Sequence, residues 1–244
     1  MSAVASVKVR GPAAEFGRLD GHSTYPAMSD HLRREATSYE VEAALQALEI
    51  APVRIRVRDW PVGLVGLDSP GLYSWWADDK GPRDLELGLG LPIPGSRIYG
   101  GQAGATQWLK SGLAKTRKVT LRSRIGTHHL GLRSDYSTLR HTIAGPLRRQ
   151  LNLATIGKNR LDRSSEERLR DWMRKHLVIA VHPFANRDVL KDLEEKVLKR
   201  LDPPLNLRGF PREGVRKRLS ALRAAIWDNE GPDFLCEDAA QPKR

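Results

Sequence analysis

The chain has 244 residues, with 40% hydrophobic and 29% charged side chains, enough for one substantial folded core. No apolar run approaches the ~18 residues of a membrane span, and the start of the chain lacks the apolar core of a secretory signal. Cys236 is the only cysteine, which excludes disulfides and cysteine-rich zinc sites and points to the cytoplasm. A formal charge of +12 favours a polyanionic partner. The excess is concentrated: Lys110 to Arg149 holds ten Lys/Arg against one acid, Asp135, as expected of a nucleic-acid contact.

Residues 1–37 are rich in Gly, Ala, Ser and Pro, have no sustained period and read as an arm. "TSYEVEAALQALEI" (Thr37–Ile50) predicts a helix with Val41, Ala44, Leu45 and Leu48 on one side. The alternating "VRIRVRDW" (Val53–Trp60) predicts a strand with a basic face, and "GLYSWWAD" (Gly71–Asp78) a second. A polar, glycine-rich connection then leads to a strand at "RIYGG", giving an antiparallel hairpin.

That last strand runs into a glycine-rich turn, "SRIYGGQAGAT". A nucleotide loop is excluded: Ala105 and Thr106, not a Lys-Ser/Thr pair, follow Gly104, and Gly100, Gly101 and Gly104 are spaced wrongly for a dinucleotide fingerprint. Thr120–His129 predicts a short helix N-capped by Thr120. Tyr136–Leu151 predicts another, broken near Gly145-Pro146. "SSEERLRDWMRKHL" opens on a capping box, Ser164 to Glu167, and offers Leu169, Trp172, Met173 and Leu177 for burial. "VIAVHPF" (Val178–Phe184) predicts an interior strand. Arg187–Leu201 predicts a helix stopped by Asp202-Pro203-Pro204, and "REGVRKRLSALRAAIWD" a last basic helix before a disordered tail from Asn229. The fold class is α+β: a small antiparallel or mixed central sheet flanked by helices, without a regular βαβ array.

Three groups of residues stand out. On the Arg187–Leu201 helix, Leu190, Leu193, Val197 and Leu201 define the apolar face, and Glu194 falls inside its arc. A carboxylate there either meets an arginine or serves as a metal ligand or general acid/base. Arg124 and His128, four residues apart, share an α-helical face and either address one phosphate or belong to an ordinary basic surface. Tyr73 and Tyr99 sit on the two hairpin strands, where tyrosines commonly serve packing.

Taken together and in order, "GLY" at Gly71–Tyr73, "YGG" at Tyr99–Gly101, "LRSRIGTHH" with Arg124 and His128, and "LEEKVLKRLDPPLN" with Glu194 and Asn206 resemble the GIY-YIG nuclease family. The His four residues after the Arg is most similar to the restriction-endonuclease branch. The resemblance covers about Val53 to Asn206. Leu72 stands where the family has Ile, and Gly100 where it has Ile or Val. It implies a nuclease domain over 51–210 with a helical insertion at about 133–177, an N-terminal arm and helix over 1–50, and a basic C-terminal helix and tail over 211–244. It further implies metal-dependent hydrolysis of DNA with one Mg²⁺ or Mn²⁺ per active site held by Glu194. Arg124 would bind a phosphate oxygen, Tyr73 take a proton from the attacking water with help from His128 or from nearby positive charge, and Tyr99 orient water or phosphate. Asn206 would fix the Glu helix or the substrate backbone. Gly101 would leave room for the substrate, and Lys110, Lys115, Arg117, Lys118, Arg122 and Arg133 would contact the backbone. Double-stranded DNA is the implied partner, cut by a symmetric dimer if the enzyme is of restriction type. The alternatives are a structure-specific repair nuclease and a DNA-binding module without catalysis.

Overall fold

A computed structural model describes residues 35–50, 54–108, 114–115, 118–157 and 159–227. Its centre is a four-stranded antiparallel sheet. In chain order its strands are β1 (Ile55–Arg56), β2 (Gly71–Ala77), β3 (Arg97–Ala103) and, returning late, a long interior strand at Leu177–Pro183. Two minor hairpins lie between: β4 (Gln107–Trp108) with β5 (Ala114–Lys115), and β6 (Thr155–Gly157) with β7 (Arg160–Leu161). The late strand is therefore β8, and the sheet order is β1-β8-β2-β3.

Every residue of β2 is buried, because β8 and β3 flank it and helices cover both faces. Strand alternation sends Leu72 to one face, where it joins α1 (Ser38–Leu45) and α5 (Leu190–Leu201) in a compact apolar cluster. Tyr73 and Trp75 go to the other face. There the main core gathers a helical segment at Leu121–His129, α2 (Gly81–Leu89), α3 (Thr138–Leu147), α4 (Arg163–His176) and α6 (Gly214–Trp227). The result is the predicted α+β arrangement, helices on both sides of a small sheet.

Several local expectations are corrected. The predicted strand Val53–Trp60 is only two residues long: β1 pairs with β8 at Ile55↔Ile179 and Arg56↔Val178, then turns into a 3₁₀ segment, Val57–Asp59; Val53 lies outside the described residues. The connection between β2 and β3 is not merely a loop, since it contains α2 with Pro82 in its first turn, a favoured helix start. The helix predicted to run to Leu151 ends beside Gly145-Pro146, as expected. Pro146 sits in the last turn, and the helix ends after Leu147. The cap of α4 is Asp162, whose Oδ1 accepts the Ser165 N–H at 2.6 Å, rather than Ser164. Leu177 opens β8 instead of closing α4. Residues 1–34 of the predicted arm and the tail from Asn229 lie outside the described residues. No described helix is long and apolar enough to cross a membrane.

Candidate active site

β2 and β3 pair with Tyr73 opposite Gly101 and Trp75 opposite Tyr99, so both tyrosines share one face of the sheet. Gly101 is required there. A Cβ at this position would lie 2.6 Å from the Tyr73 hydroxyl oxygen and 2.9 Å from its ring, so the absent side chain makes space for the phenol itself. Gly100 faces the other way, where a Cβ would lie 2.6 Å from Leu198 Cδ2. Gly100, standing where the resembled motif has Ile or Val, lets α5 approach β3.

β3 is the sheet edge, and the Asn206 side chain covers it. Gly100 N–H donates to Asn206 Oδ1 at 2.9 Å, and Asn206 Nδ2 donates to Gly100 O at 3.0 Å. Leu205 N–H adds a bond to Ile98 O at 2.9 Å. Asn206, buried at 7% exposure, thus ties the second motif strand to the chain that follows the Glu helix.

Above the sheet the chain turns into helix at Thr120, whose hydroxyl accepts the Ser123 N–H at 3.2 Å, as the predicted cap requires. The helix is not α-helical, however. Ser123–His129 is a π-helix, closing i→i+5 bonds such as Leu130 N–H to Ile125 O at 2.9 Å. The wider turn changes which histidine follows Arg124 on its face. His129 Nε2, five residues on, lies 2.9 Å from the Tyr73 hydroxyl, to which Arg124 Nε donates at 3.3 Å. His128 stands aside near Tyr136, ring centroids 6.3 Å apart, and its Nδ1 has no hydrogen-bond partner among the described residues. The structure therefore places His129, not the expected His128, beside the Tyr73 hydroxyl, because the spacing argument assumed an α-helix.

His129 is fully buried, edge-on to Tyr73, Trp75 and Tyr99. Its Nδ1 meets Ser137 Oγ at 2.7 Å, and Ser137, the cap of α3, accepts the Arg140 N–H at 3.1 Å. Burial first, then the charges of Arg124, His128 and Arg140, hold its pKa well below the ordinary imidazole value, so it is neutral. Burial raises the Tyr73 phenol, partly offset by Arg124, and raises Tyr99 also.

Glu194 stands on α5 between the buried Leu193 and Val197 and within electrostatic range of Tyr73, Tyr99 and Arg124. Burial, reinforced by Glu195, pushes its pKa up to about 7 against the pull of Arg124, Arg208 and Lys191. No described group hydrogen-bonds its carboxylate. Nor do three or more His, Cys, Asp or Glu side chains gather as metal ligands among the described residues. An isolated, partly desolvated carboxylate fits a hydrated divalent ion, which needs one or two carboxylates and takes its remaining oxygens from water and phosphate.

The basic run is not one continuous face. Arg140 is buried against Glu166, Arg122 is bound twice by Asp68 at 2.7 and 3.1 Å, and Arg133 is paired with Asp135. Lys118 is exposed, Lys115 lies on β5, and Lys110 and Arg117 are outside the described residues. His129, Ser137, Arg140 and Glu166 were not singled out from sequence. The "THH" doublet offered the right residue, but only the π-turn selects it.

The paired motif strands, the arginine on the following helix and the lone carboxylate on α5 are the parts of a known catalytic fold. Residues 94–225, just over half of the chain, match the GIY-YIG catalytic domain, and the chain belongs to the GIY-YIG nuclease family. The match begins after Tyr73; the β2–β3 register brings that residue to the matched part. Comparison with curated proteins and with solved structures gives no match.

Proposed function

We propose that this chain is a divalent-metal-dependent endonuclease that hydrolyses DNA phosphodiester bonds. The carrying observation is the Tyr73 hydroxyl held between Arg124 Nε and His129 Nε2, with the unpartnered Glu194 nearby. Glu194 would hold the metal, whose chemistry is to neutralise charge on the phosphate and the departing 3′ oxygen. Arg124 sits where it can bind a nonbridging oxygen as charge builds there.

Tyr73 is the base. Its oxygen accepts from Arg124, so its proton points to His129 Nε2, while the imidazole Nδ1–H donates to Ser137. As water attacks phosphorus, its proton passes to the Tyr73 oxygen and the Tyr73 proton passes to His129. A resting His129 is a weak base, chiefly because it is buried, and a phosphate docked beside Arg124 would relieve only the electrostatic part of that depression. Tyr99 walls the same face and orients the water or phosphate.

The resemblance carried by Arg124 and His128 in sequence supports a restriction-type enzyme, in which two chains would pair to cut two strands. A groove lined by Arg208, Arg212 and Arg223, the last within electrostatic range of Tyr99, supports structure-specific cutting instead. Incubation of the full chain with long defined DNA and Mg²⁺ or Mn²⁺, followed by end sequencing and sedimentation, tests the reading. Cleavage abolished by Glu194→Ala with DNA binding retained is the expected result. Absence of cleavage on duplex, branched and single-stranded DNA rejects it, and leaves a DNA-binding module.

A further inference from the structure

Beyond the reacting groups, the segment after Asn206 and the outer end of α6 enclose a groove of about 660 Å³ against the start of α3 at Thr138. Arg208, Arg212 and Arg223 all line it, with no acid among the lining residues. No described group pairs with Arg208 or Arg212 through a hydrogen bond or ion pair. Arg223 is set in place from beneath. His141, 7% exposed, has its Nε2 3.2 Å from Asn159 O, so Nε2 carries the proton and Nδ1 accepts from Arg223 Nη2 at 3.4 Å. Burial and Arg223 lower the His141 pKa, which keeps it the neutral acceptor. The walls are aromatic. Phe210 carries Arg216 over its ring at 4.5 Å, and Trp227 packs on His141 with ring centroids 4.7 Å apart. Trp227 is 9% exposed, and its indole N–H has no acceptor among the described residues.

The groove adjoins the reacting groups through the backbone. Arg208 is two residues beyond Asn206, which clamps the neighbour of Tyr99. Arg216 Nε on α6 donates to Asn206 O at 3.0 Å, fixing α6 to the same point. Arg208 is within electrostatic range of Glu194, and Arg223 of Tyr99. A duplex is too broad for a concavity of this size, whereas sites of roughly 300–1,000 Å³ suit single small ligands. Cations beside aromatic walls are what one nucleotide requires, phosphate on the guanidinium groups and base on the rings.

We propose that this groove receives one unpaired nucleotide of the substrate strand, adjoining the scissile phosphate, and so selects DNA with a bulge, branch or frayed end. The proposal rests on the nuclease reading for its substrate, but its test does not depend on cleavage. Full-length Glu194→Gln protein is titrated without metal into a fluorescent duplex and into the same duplex carrying a short unpaired bulge, with anisotropy as the readout over a range of salt.

Bulged DNA is expected to bind about tenfold more tightly, the scale of one stacked base. Arg208→Ala/Arg212→Ala erases that preference and lowers the salt slope on bulged DNA by about 0.7 per lost phosphate contact. Phe210→Ala weakens the preference with the slope unchanged. Equal affinity for the two DNAs overturns the proposal, and so does a preference that survives in the arginine variant. Equal weakening on both DNAs also overturns it, since the groove is then an undiscriminating basic surface. Failure of the nuclease reading shows separately, as absence of cleavage by the unsubstituted chain.

Discussion

His128 and His129 are consecutive residues with unlike surroundings, one beside an exposed tyrosine and one buried against the reacting phenol. Removing His129 leaves the Tyr73 proton without its acceptor, so His129→Ala should lower the cleavage rate by about 10²–10⁴, the usual range for a lost general acid/base. His128→Ala should change it only a few-fold in the same assay. Glu194 gives a residue-level prediction that needs no substrate. Its folded pKa of about 7 lies above the ordinary glutamate value, so between those limits the folded protein binds a proton that the unfolded chain has released. Stability of the metal-free protein therefore falls as pH rises through that window. Glu194→Gln, which cannot ionise, should be the more stable protein at pH 8 by on the order of 2 kcal/mol and the equal of wild type near pH 4, in urea melts with chelator. Added Mg²⁺ should stabilise wild type and not the Gln variant. Glu194 was legible from helical periodicity alone. His129 was not, since a π-turn has no periodic signature in seven residues.

At the scale of elements, the motif strands illustrate what a sequence does and does not disclose. The apolar face of α5 follows from the 3.6-residue period, Tyr73 and Tyr99 from the hairpin reading, and Gly101 from the motif resemblance. The reason for Gly101 does not: it depends on cross-strand register, which places the glycine opposite Tyr73. Gly101→Ala should press the phenol away from Arg124 and His129. The expected outcome is loss of most cleavage with the fold kept, checked by circular dichroism beside the rate assay. Asn206 serves the same strand from its open edge. Replacing it with Leu leaves the Gly100 N–H and C=O without partners at a buried edge, and should cost about 2–4 kcal/mol in denaturant melts. The shortfall of the predicted β1 and the unforeseen α2 share a cause. Both are decided by how much partner strand or core is on offer, which local pattern does not contain.

For the whole molecule, the chain between the π-helix and β8 supports His129 rather than standing apart from it. It contributes Ser137 to His129 Nδ1, and Arg140 Nη1 donates to His129 O at 3.3 Å. Arg140 is itself 0% exposed and ion-paired with Glu166 on α4, whose other oxygen accepts the Ser134 N–H at 2.6 Å. This buried pair joins α4, the cap of α3 and the His129 imidazole. Breaking it from one side leaves an uncompensated buried charge, so Glu166→Gln should destabilise the protein by about 3–5 kcal/mol. Replacing both members by apolar residues of similar size, Arg140→Met with Glu166→Leu, should recover most of that loss, because two desolvated charges are removed together. The two readouts should then separate. The double variant should melt near wild type and still cleave more slowly, because the His129 carbonyl has lost its guanidinium donor and the Ser134 N–H its carboxylate. Restoration of stability and rate together would instead show that the pair holds the insertion in place without orienting His129.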